Sequence, residues 1–278
     1  MRKVLLLFVM LIGTACLFEL QAQQMKVISF NIHSNTALKN IGKNTWNHRA
    51  KAVKNMIEKE APEVFGIQEV VLDQLSYIDR KFRDTYRRVG VARDNGITRG
   101  EHTSIYYNKT KLKIISYKTR WLSETPQKVS YGWDAREKRI VTIAHFQVIE
   151  TGKEFFYFNT HLERADRKAQ AKEVELLVKM IQSEVPAGIP VILGGDMNSN
   201  IRSAAFDPLT EIGMEVARDI APRTDYKNSY NAFGNGTPSM NDHFFVRDIE
   251  VNRFKTLNKS YGAPYISDHY PIMMIITF

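Results

Sequence analysis

Six segments of this 278-residue chain place a carboxylate, an amide or a histidine next to a short apolar run. Asn31 follows Ile28-Ser29-Phe30, Glu69 follows Phe65-Gly66-Ile67-Gln68, and His161 follows Phe158-Asn159-Thr160. Asp196 and Asn198 follow Leu193-Gly194-Gly195, Asp242 and His243 precede Phe244, and Asp268 and His269 precede the last apolar run. One acidic residue at a strand end is most often a turn former or a helix cap. Recurrence at six strand ends points instead to one assembled site. Carboxylates and amides without thiolates suit a hard cation such as Mg²⁺ or Mn²⁺, because oxygen ligands match hard ions. The histidines lack zinc spacing. No His-Glu-x-x-His, Gly-x-Ser-x-Gly or Gly-x-x-x-x-Gly-Lys-Ser/Thr motif occurs, which sets aside zinc proteases, serine hydrolases and P-loop enzymes.

The elements that must carry these residues follow from apolar spacing. Met25 to Phe30 reads as a strand. Trp46, Ala50, Val53 and Ile57 recur at helical spacing until Ala61-Pro62 stops the helix. Val64 to Ile67 is a second strand, and Leu72, Leu75, Ile78 and Phe82 mark a second helix. Thr103 to Tyr107, Leu112 to Ser116, Ile140 to Val148 and Phe155 to Phe158 are β-rich. A long amphipathic helix over about Arg167 to Glu184 turns Val174, Leu177, Val178 and Ile181 inward. Val191 to Leu193, Phe244 to Val246 and Tyr270 to Ile276 complete the strands. Helices do not separate every pair of strands, so a purely parallel sheet is excluded and two mixed sheets with helices outside are expected. No repeat, low-complexity tract or linker divides residues 23–278, which read as a single domain.

Residues 1–22 differ from the rest. Arg2 and Lys3 precede the apolar run Val4 to Ile12, then small residues lead to a cut after Ala22, the pattern of a signal peptide. Export to the periplasm or the outside follows as an expectation. The sole cysteine, Cys16, lies within this leader after Gly13-Thr14-Ala15. A lipoprotein anchored at Cys16 is the alternative, and the only route to membrane contact that the sequence offers. Beyond residue 22 no cysteine remains, so cysteine catalysis and disulfides are excluded. The formal charge is +9, and the leader with Arg2, Lys3 and Glu19 accounts for only one unit of it. That surplus suits an anionic partner such as nucleic acid or a phosphorylated metabolite, and equally suits plain solubility.

The motifs resemble the endonuclease/exonuclease/phosphatase superfamily, which includes deoxyribonuclease I, deadenylases, sphingomyelinases and inositol phosphatases. The matching blocks, in order, are Ser29-Phe30-Asn31, Gly66-Ile67-Gln68-Glu69-Val70, Asn159-Thr160-His161-Leu162-Glu163, Gly194-Gly195-Asp196-Met197-Asn198, Asn241-Asp242-His243-Phe244-Phe245-Val246 and Ser267-Asp268-His269-Tyr270-Pro271. Trp121 to Pro126, with Trp133-Asp134 and Arg139, is similar to a bacterial branch related to deadenylase-type members. Asn241 departs from the apolar residue usual at its position, which predicts a looser strand start there.

The resemblance implies an α/β fold of four layers, two mixed β-sheets packed face to face with helices on the outside. It implies Glu69 as the principal ligand of Mg²⁺ or Mn²⁺, with Asn31 and Asp268 completing the shell. Asp196, helped by Asn198, would orient and deprotonate the attacking water. His269, its ring held by Asp242, would contact a phosphate oxygen, and His161 would contact it from the other side. Arg139 is a substrate-phosphate contact or, equally, a structural ion pair; Glu101 and Glu124 are candidates for the cleft wall. The expected activity is a secreted phosphoester hydrolase, with nucleic acid slightly favoured by charge. The runner-up is a phosphatase or phosphodiesterase on small or lipid-linked phosphates, of inositol phosphate or sphingomyelin type. A non-catalytic binding protein on the same scaffold is disfavoured, because a decayed site should have lost one of these residues. No stable protein partner is implied.

Other residues have plainer readings. Trp46 lies on the apolar stripe of its helix and belongs to the core, whereas Trp121 and Trp133 flank a loop and could line a cleft. His48 and His145 carry no catalytic assignment, and Arg164 to Lys172 reads as a solvated helix start.

Overall fold

The computed structural model describes residues 24–36 and 42–278, so the expected leader lies outside the described residues. Strand β1 (Met25–Asn31), helix α1 (Trp46–Glu60), β2 (Val64–Val70), α2 (Leu72–Phe82), β3 (Tyr86–Val89) and β4 (His102–Asn108) form the first half. Next come β5 (Leu112–Trp121), β6 (Ile140–Val148), β7 (Glu154–His161), α3 (Arg167–Glu184), β8 (Val191–Asp196), α4 (Asp207–Glu211), β9 (Glu215–Val216) and α5 (Ala217–Ile220). Strands β10 (Asp242–Arg247), β11 (Glu250–Thr256) and β12 (Ile272–Thr277) close the chain. The strands form two six-stranded mixed sheets, ordered β11-β12-β1-β2-β4-β3 and β5-β6-β7-β8-β10-β9.

The two sheets share a plan. Each has one parallel pair at its centre, β1 with β2 and β7 with β8, and antiparallel strands to either side. A parallel pair needs a crossover, and α1 and α3 supply the two. Alternation along the strands then builds three cores. One face of each sheet packs on the other through Val27, Val64, Ile105, Tyr157, Phe244 and Met274. The outer face of the first sheet packs on α1 and α2, and that of the second on α3. The expected four-layer sandwich is the observed one. Trp46 is a core residue, and Val174, Leu177, Val178 and Ile181 are all buried, as their spacing predicts.

Helix ends lie where the sequence places them. α1 stops at Ala61, whose left-handed φ of 43° closes the last turn before Pro62. The charged stretch at the start of α3 is solvated except at Asp166, which caps the helix by accepting from the Lys168 and Ala169 amides. Strands β3, β9 and β11 are not legible from apolar runs, because their exposed faces carry charge.

Polar groups join the sheets at one edge. Gln68 Nε2 donates to Ser29 Oγ (3.0 Å) within its sheet and across to Asn159 Oδ1 (2.7 Å), while Asn159 Nδ2 donates back to the Ile67 and Ser104 carbonyls at 3.1 and 2.9 Å. A buried amide left without its partner costs about 1–3 kcal/mol, so this clamp fixes how the sheets register. Gly66 makes room for it, since a β-carbon there would lie 2.5 Å from Asn159 Oδ1.

Buried Glu173 on α3 gives a stability prediction. Burial pushes its carboxyl up to about 8, against the opposing pull of the Glu163 amide and Arg139. The folded protein therefore keeps a proton that the unfolded chain loses above about 4.5, and stability falls as pH rises between those values. Glu173→Gln removes the dependence while keeping an acceptor for the Glu163 amide, 2.7 Å away. The stability of the variant relative to the parent should rise from pH 5 to pH 8, read by thermal melts. A difference independent of pH would refute the assignment.

Candidate active site

The carboxyl ends of both parallel pairs open onto the same edge, which brings Asn31, Glu69, His161 and Asp196 together from β1, β2, β7 and β8. β10 runs antiparallel to β8 with Asp242 opposite Asp196, so its first residue reaches that edge too. The turn before β12 adds Asp268 and His269. Two irregularities aim these groups. β2 bulges between Ile67 and Val70, and Glu69 takes a left-handed φ of 60°, which frees its side chain from simple alternation. Gly195 has φ 150°, and a β-carbon there would lie 1.9 Å from the Thr160 carbonyl, so only glycine lets β8 lie this close to β7.

Asp196 is the centre of the arrangement and is 1% exposed. Its Oδ2 accepts from Asn31 Nδ2 at 2.9 Å, which links the two sheets, and its Oδ1 accepts from the Asn198 amide at 2.8 Å. The Nε2 atoms of His161 and His269 each lie 3.6 Å from Asp196 Oδ2. Burial pushes the Asp196 carboxyl up to about 7, reinforced by Asp242 and opposed by His269. A carboxylate poised near neutrality suits a general base. Burial by itself would lower His269, but Asp242 and Asp196 outweigh it and hold the ring as the imidazolium, up to about 10. His269 Nδ1 donates to Asp242 Oδ2 at 2.7 Å, the pairing expected from the sequence. Asn198 touches both Asp196, through its backbone amide, and His161. Its Nδ2 lies 2.8 Å from His161 Nε2 and donates to the Leu162 carbonyl at 2.9 Å, so it positions His161.

The second locus holds Glu69, Asn31 and Asp268. Asn31 Nδ2 also reaches Glu69 Oε1 at 3.2 Å, and Asn31 Oδ1 accepts from the His33 amide at 3.0 Å. Asn31 therefore bridges two carboxylates through its nitrogen, and its oxygen faces a cation only if the amide turns over. Burial raises the Asp268 carboxyl, but the His33 ring, 2.9 Å away, and the charge on His269 more than offset that and hold it below the usual range; neighbouring Glu69 works against them. Two carboxylates in mutual repulsion beside an amide are an oxygen donor set that fits a hard divalent ion. Asp196, Asp242 and His269 also bring three ligand atoms within 4.8 Å of one another. The short His269–Asp242 hydrogen bond makes that trio a charge-paired relay.

Several supporting contacts are absent from the sequence reading. Arg49, 2% exposed on α1, donates to the carbonyls of Ile32, His33 and Ile266, tying the end of β1 to the turn that carries Asp268. Ser267 Oγ donates to the Asn31 carbonyl at 2.7 Å, and Ser229 Oγ accepts from the Asn241 and Asp242 amides. Tyr230 lies edge-on to His269 and Phe233 to His33, each 5.0 Å between centroids. Periodicity is blind to such contacts. The strand start at Asn241 is not loosened: its carbonyl accepts from the Met197 amide at 2.8 Å in addition to the Ser229 contact.

Arg139 is 6% exposed, with Nε 3.4 Å from Glu163 Oε2, so the ion pair is present, and it also lines a recess with Glu69 and His161. Glu101 lines the same recess, whereas Glu124 is exposed in the loop after β5. Trp121 is not a cleft surface. It is 6% exposed, and its Nε1 donates to the Arg93 carbonyl at 2.8 Å. His145 pairs with Glu154 at 2.8 Å and His48 with Thr45 at 2.9 Å, away from the catalytic edge.

A sequence model described as the Endonuclease/Exonuclease/phosphatase family matches residues 28–269. A mannosyl-6-phosphatase from Bacteroides thetaiotaomicron is 30% identical, covers 91% of this chain and 100% of its own, and superposes with a TM-score of 0.85. An endonuclease/exonuclease/phosphatase from Bacteroides vulgatus is 27% identical over 92% and 99% of the two chains, with a TM-score of 0.86. D. rerio TDP2, complexed with a single-strand DNA product, shares the fold at 18% identity, with a TM-score of 0.71 over 92% of this chain and 99% of its own. An uncharacterized protein of Acanthamoeba polyphaga mimivirus is 26% identical over 270 residues, 90% of this chain and 99% of its own.

Proposed function

The chain belongs to the endonuclease/exonuclease/phosphatase family, and on that footing we propose that it is a divalent-metal-dependent phosphoester hydrolase in which water attacks phosphorus with no covalent enzyme intermediate. The observation that carries the reading is the buried string Asn31, Asp196, His269, Asp242, joined by contacts of 2.9, 3.6 and 2.7 Å across both sheets. It places a base of raised pKa beside a fixed imidazolium, which is the pairing that proton removal and oxyanion binding require.

In this reading Asp196 accepts the proton of the attacking water as its oxygen bonds to phosphorus. His269, kept cationic by Asp242, donates from Nε2 to a non-bridging phosphate oxygen, where negative charge must be met. His161, oriented by Asn198, borders the same oxygens. Glu69 and Asp268, with Asn31, would hold Mg²⁺ or Mn²⁺, which when bound neutralises the phosphate and the charge building on the leaving oxygen. The leader at residues 1–22 supports export, which would bring the enzyme to phosphoesters outside the cytoplasm.

A small phosphate ester is the preferred substrate class, supported by the 30% identity to a protein named for a sugar phosphate. Nucleic acid is the second reading, favoured by the formal charge of +9. The test is kcat/KM with Mg²⁺ and Mn²⁺ on p-nitrophenyl phosphate, its diester, hexose 6-phosphates, inositol phosphates, sphingomyelin, single-stranded DNA and RNA. Activity should vanish with chelator. Turnover of the preferred ester should change little with salt, whereas phosphate contacts along a polyanion would make KM climb steeply. Full activity in excess EDTA would sink the mechanism, and a steep salt slope on a preferred oligonucleotide would reverse the order of substrates.

A further inference from the structure

Strand β9 is only two residues long and pairs with β10 at Phe245 and Val246 alone, so the first residues of β10 have no strand beside them on that edge. A cavity of about 370 Å³ opens there, walled by β9 and α5, by the turn after β8 and by the chain that leads into β10. It is distinct from the catalytic edge. His243 lines it, and alternation along β10 turns His243 to the face opposite Asp242.

Arg218 on α5 is the unusual group in the wall of this cavity. It is 2% exposed, and none of its three guanidinium nitrogens has a hydrogen-bond partner among the described residues. The Phe254 ring meets one face of the guanidinium, with its centroid 4.5 Å from Cζ. A ring on the face leaves the five N–H groups unanswered, because they point outward in the guanidinium plane. Burial loosens the hold of Arg218 on its proton, and the carboxylates of Asp225, Asp219 and Asp242 restore it only in part. Each of these is engaged elsewhere. Asp225 accepts from the Thr256 amide and hydroxyl at 2.9 and 2.8 Å, Asp219 lies 3.3 Å from Arg202, and Asp242 holds His269. A buried cation without a hydrogen-bonded counter-ion is strongly destabilising, so an anion that enters the cavity gains what the fold leaves unmet.

The lining sets the class of that anion. Arg202 and Arg218 are opposed by Asp219 alone, which leaves one positive charge. His243 adds none: burial pushes its ring down to about 4, and its Nε2 lies 3.2 and 3.1 Å from the Ser199 and Met240 carbonyls, so the neutral ring keeps its proton on Nε2. One surplus charge matches a monoanion, whereas a phosphate monoester carries about −1.5 to −2 at neutral pH. A planar carboxylate also fits the guanidinium fork. The cavity is much larger than a carboxylate alone, and Ile201, Val216 and Met240 give it an apolar side.

We propose that this cavity binds a small organic acid, its carboxylate paired with the Arg218 guanidinium and its body lying against Ile201, Val216 and Met240. The site is independent of the hydrolase reading.

The test titrates benzoate into the full chain by calorimetry, with benzamide as the uncharged counterpart and phenylphosphonate as the competing dianion. Excess EDTA keeps metal-held phosphonate out of the measurement. Benzoate should bind at least about 10-fold more tightly than benzamide, and Arg218→Gln should weaken benzoate by about 10-fold or more while leaving benzamide within about twofold. Because replacing a buried arginine can disturb the fold, Arg202→Gln supplies a surface change: that side chain is 75% exposed. Removing its charge should weaken benzoate about threefold. No saturable benzoate binding below about 20 mM, or equal affinity for benzamide, would overturn the proposal. So would unchanged benzoate affinity in an Arg218→Gln protein that melts as the parent does or, if that variant does not fold, in Arg202→Gln. Phenylphosphonate binding that is tighter than benzoate binding and lost in Arg218→Gln would assign the cavity to phosphate monoesters and refute the carboxylate.

Discussion

Asp196→Asn should lower kcat by about 10³-fold or more on any phosphate ester the protein turns over, and should leave the fold in place. General-base catalysis contributes about 10²–10⁴-fold, and here the base also orients the water that it deprotonates. An amide has the shape of the carboxylate but cannot take a proton. Burial has already pushed the Asp196 carboxyl up to about 7, so the native protein bears the cost of a charge held away from water. The substitution removes that cost but turns an NH₂ toward Asn31 Nδ2 or the Asn198 amide, both of which donate to the carboxylate, so the melting temperature should change by only a few degrees. Steady-state kinetics with Mg²⁺ and a thermal melt check both halves. Turnover within tenfold of the parent would remove Asp196 from the role of base.

Asp242 and His269 should behave as one unit. Asp242→Asn leaves the 2.7 Å contact sterically possible but withdraws the charge that offsets burial of the imidazolium. His269→Gln removes the cation itself. Each change ends in the same state, a phosphate oxygen facing no fixed positive charge, so each should cost about 10²–10³-fold in kcat/KM and the double variant little more than either alone. Polar replacements are chosen because truncation to alanine would leave the other group buried and unpaired, adding a folding penalty of several kcal/mol to the kinetic effect. Losses that multiply in the double-mutant cycle would show that the two residues act independently.

The six polar strand ends were legible because a buried strand that stops in a carboxylate or amide breaks its own pattern, and six such breaks seldom share one chain without sharing one place. Glu69 illustrates the limit. Its residue type marks it as a ligand, but alternation along β2 would aim it away from the edge, and only the bulge with φ 60° turns it toward Asn31. Asn198 shows the converse, a motif residue whose side chain the fold spends on orienting His161. Gln68, Asn159 and Ser29 were legible as parts of motifs, but their role as the clamp between sheets was not.

By itself the sequence determined the two helical crossovers, the mixed sheets, the chemical types gathered at the strand ends and the family they resemble. These depend on periods of 2 and 3.6 residues and on local turn chemistry, which nearest neighbours along the chain encode. Tertiary structure decided which polar groups meet. Asn31 and Asp196 lie 165 positions apart and touch at 2.9 Å, and Arg49 joins the Ile32 and Ile266 carbonyls from a helix that reads as an ordinary amphipathic one. It also decided that Trp121 faces inward and that Arg93 pairs with both Glu101 and Glu137. Charge and hydrogen-bond energies depend on distances of a few ångströms and on exclusion of water, and neither quantity exists until the two sheets have packed.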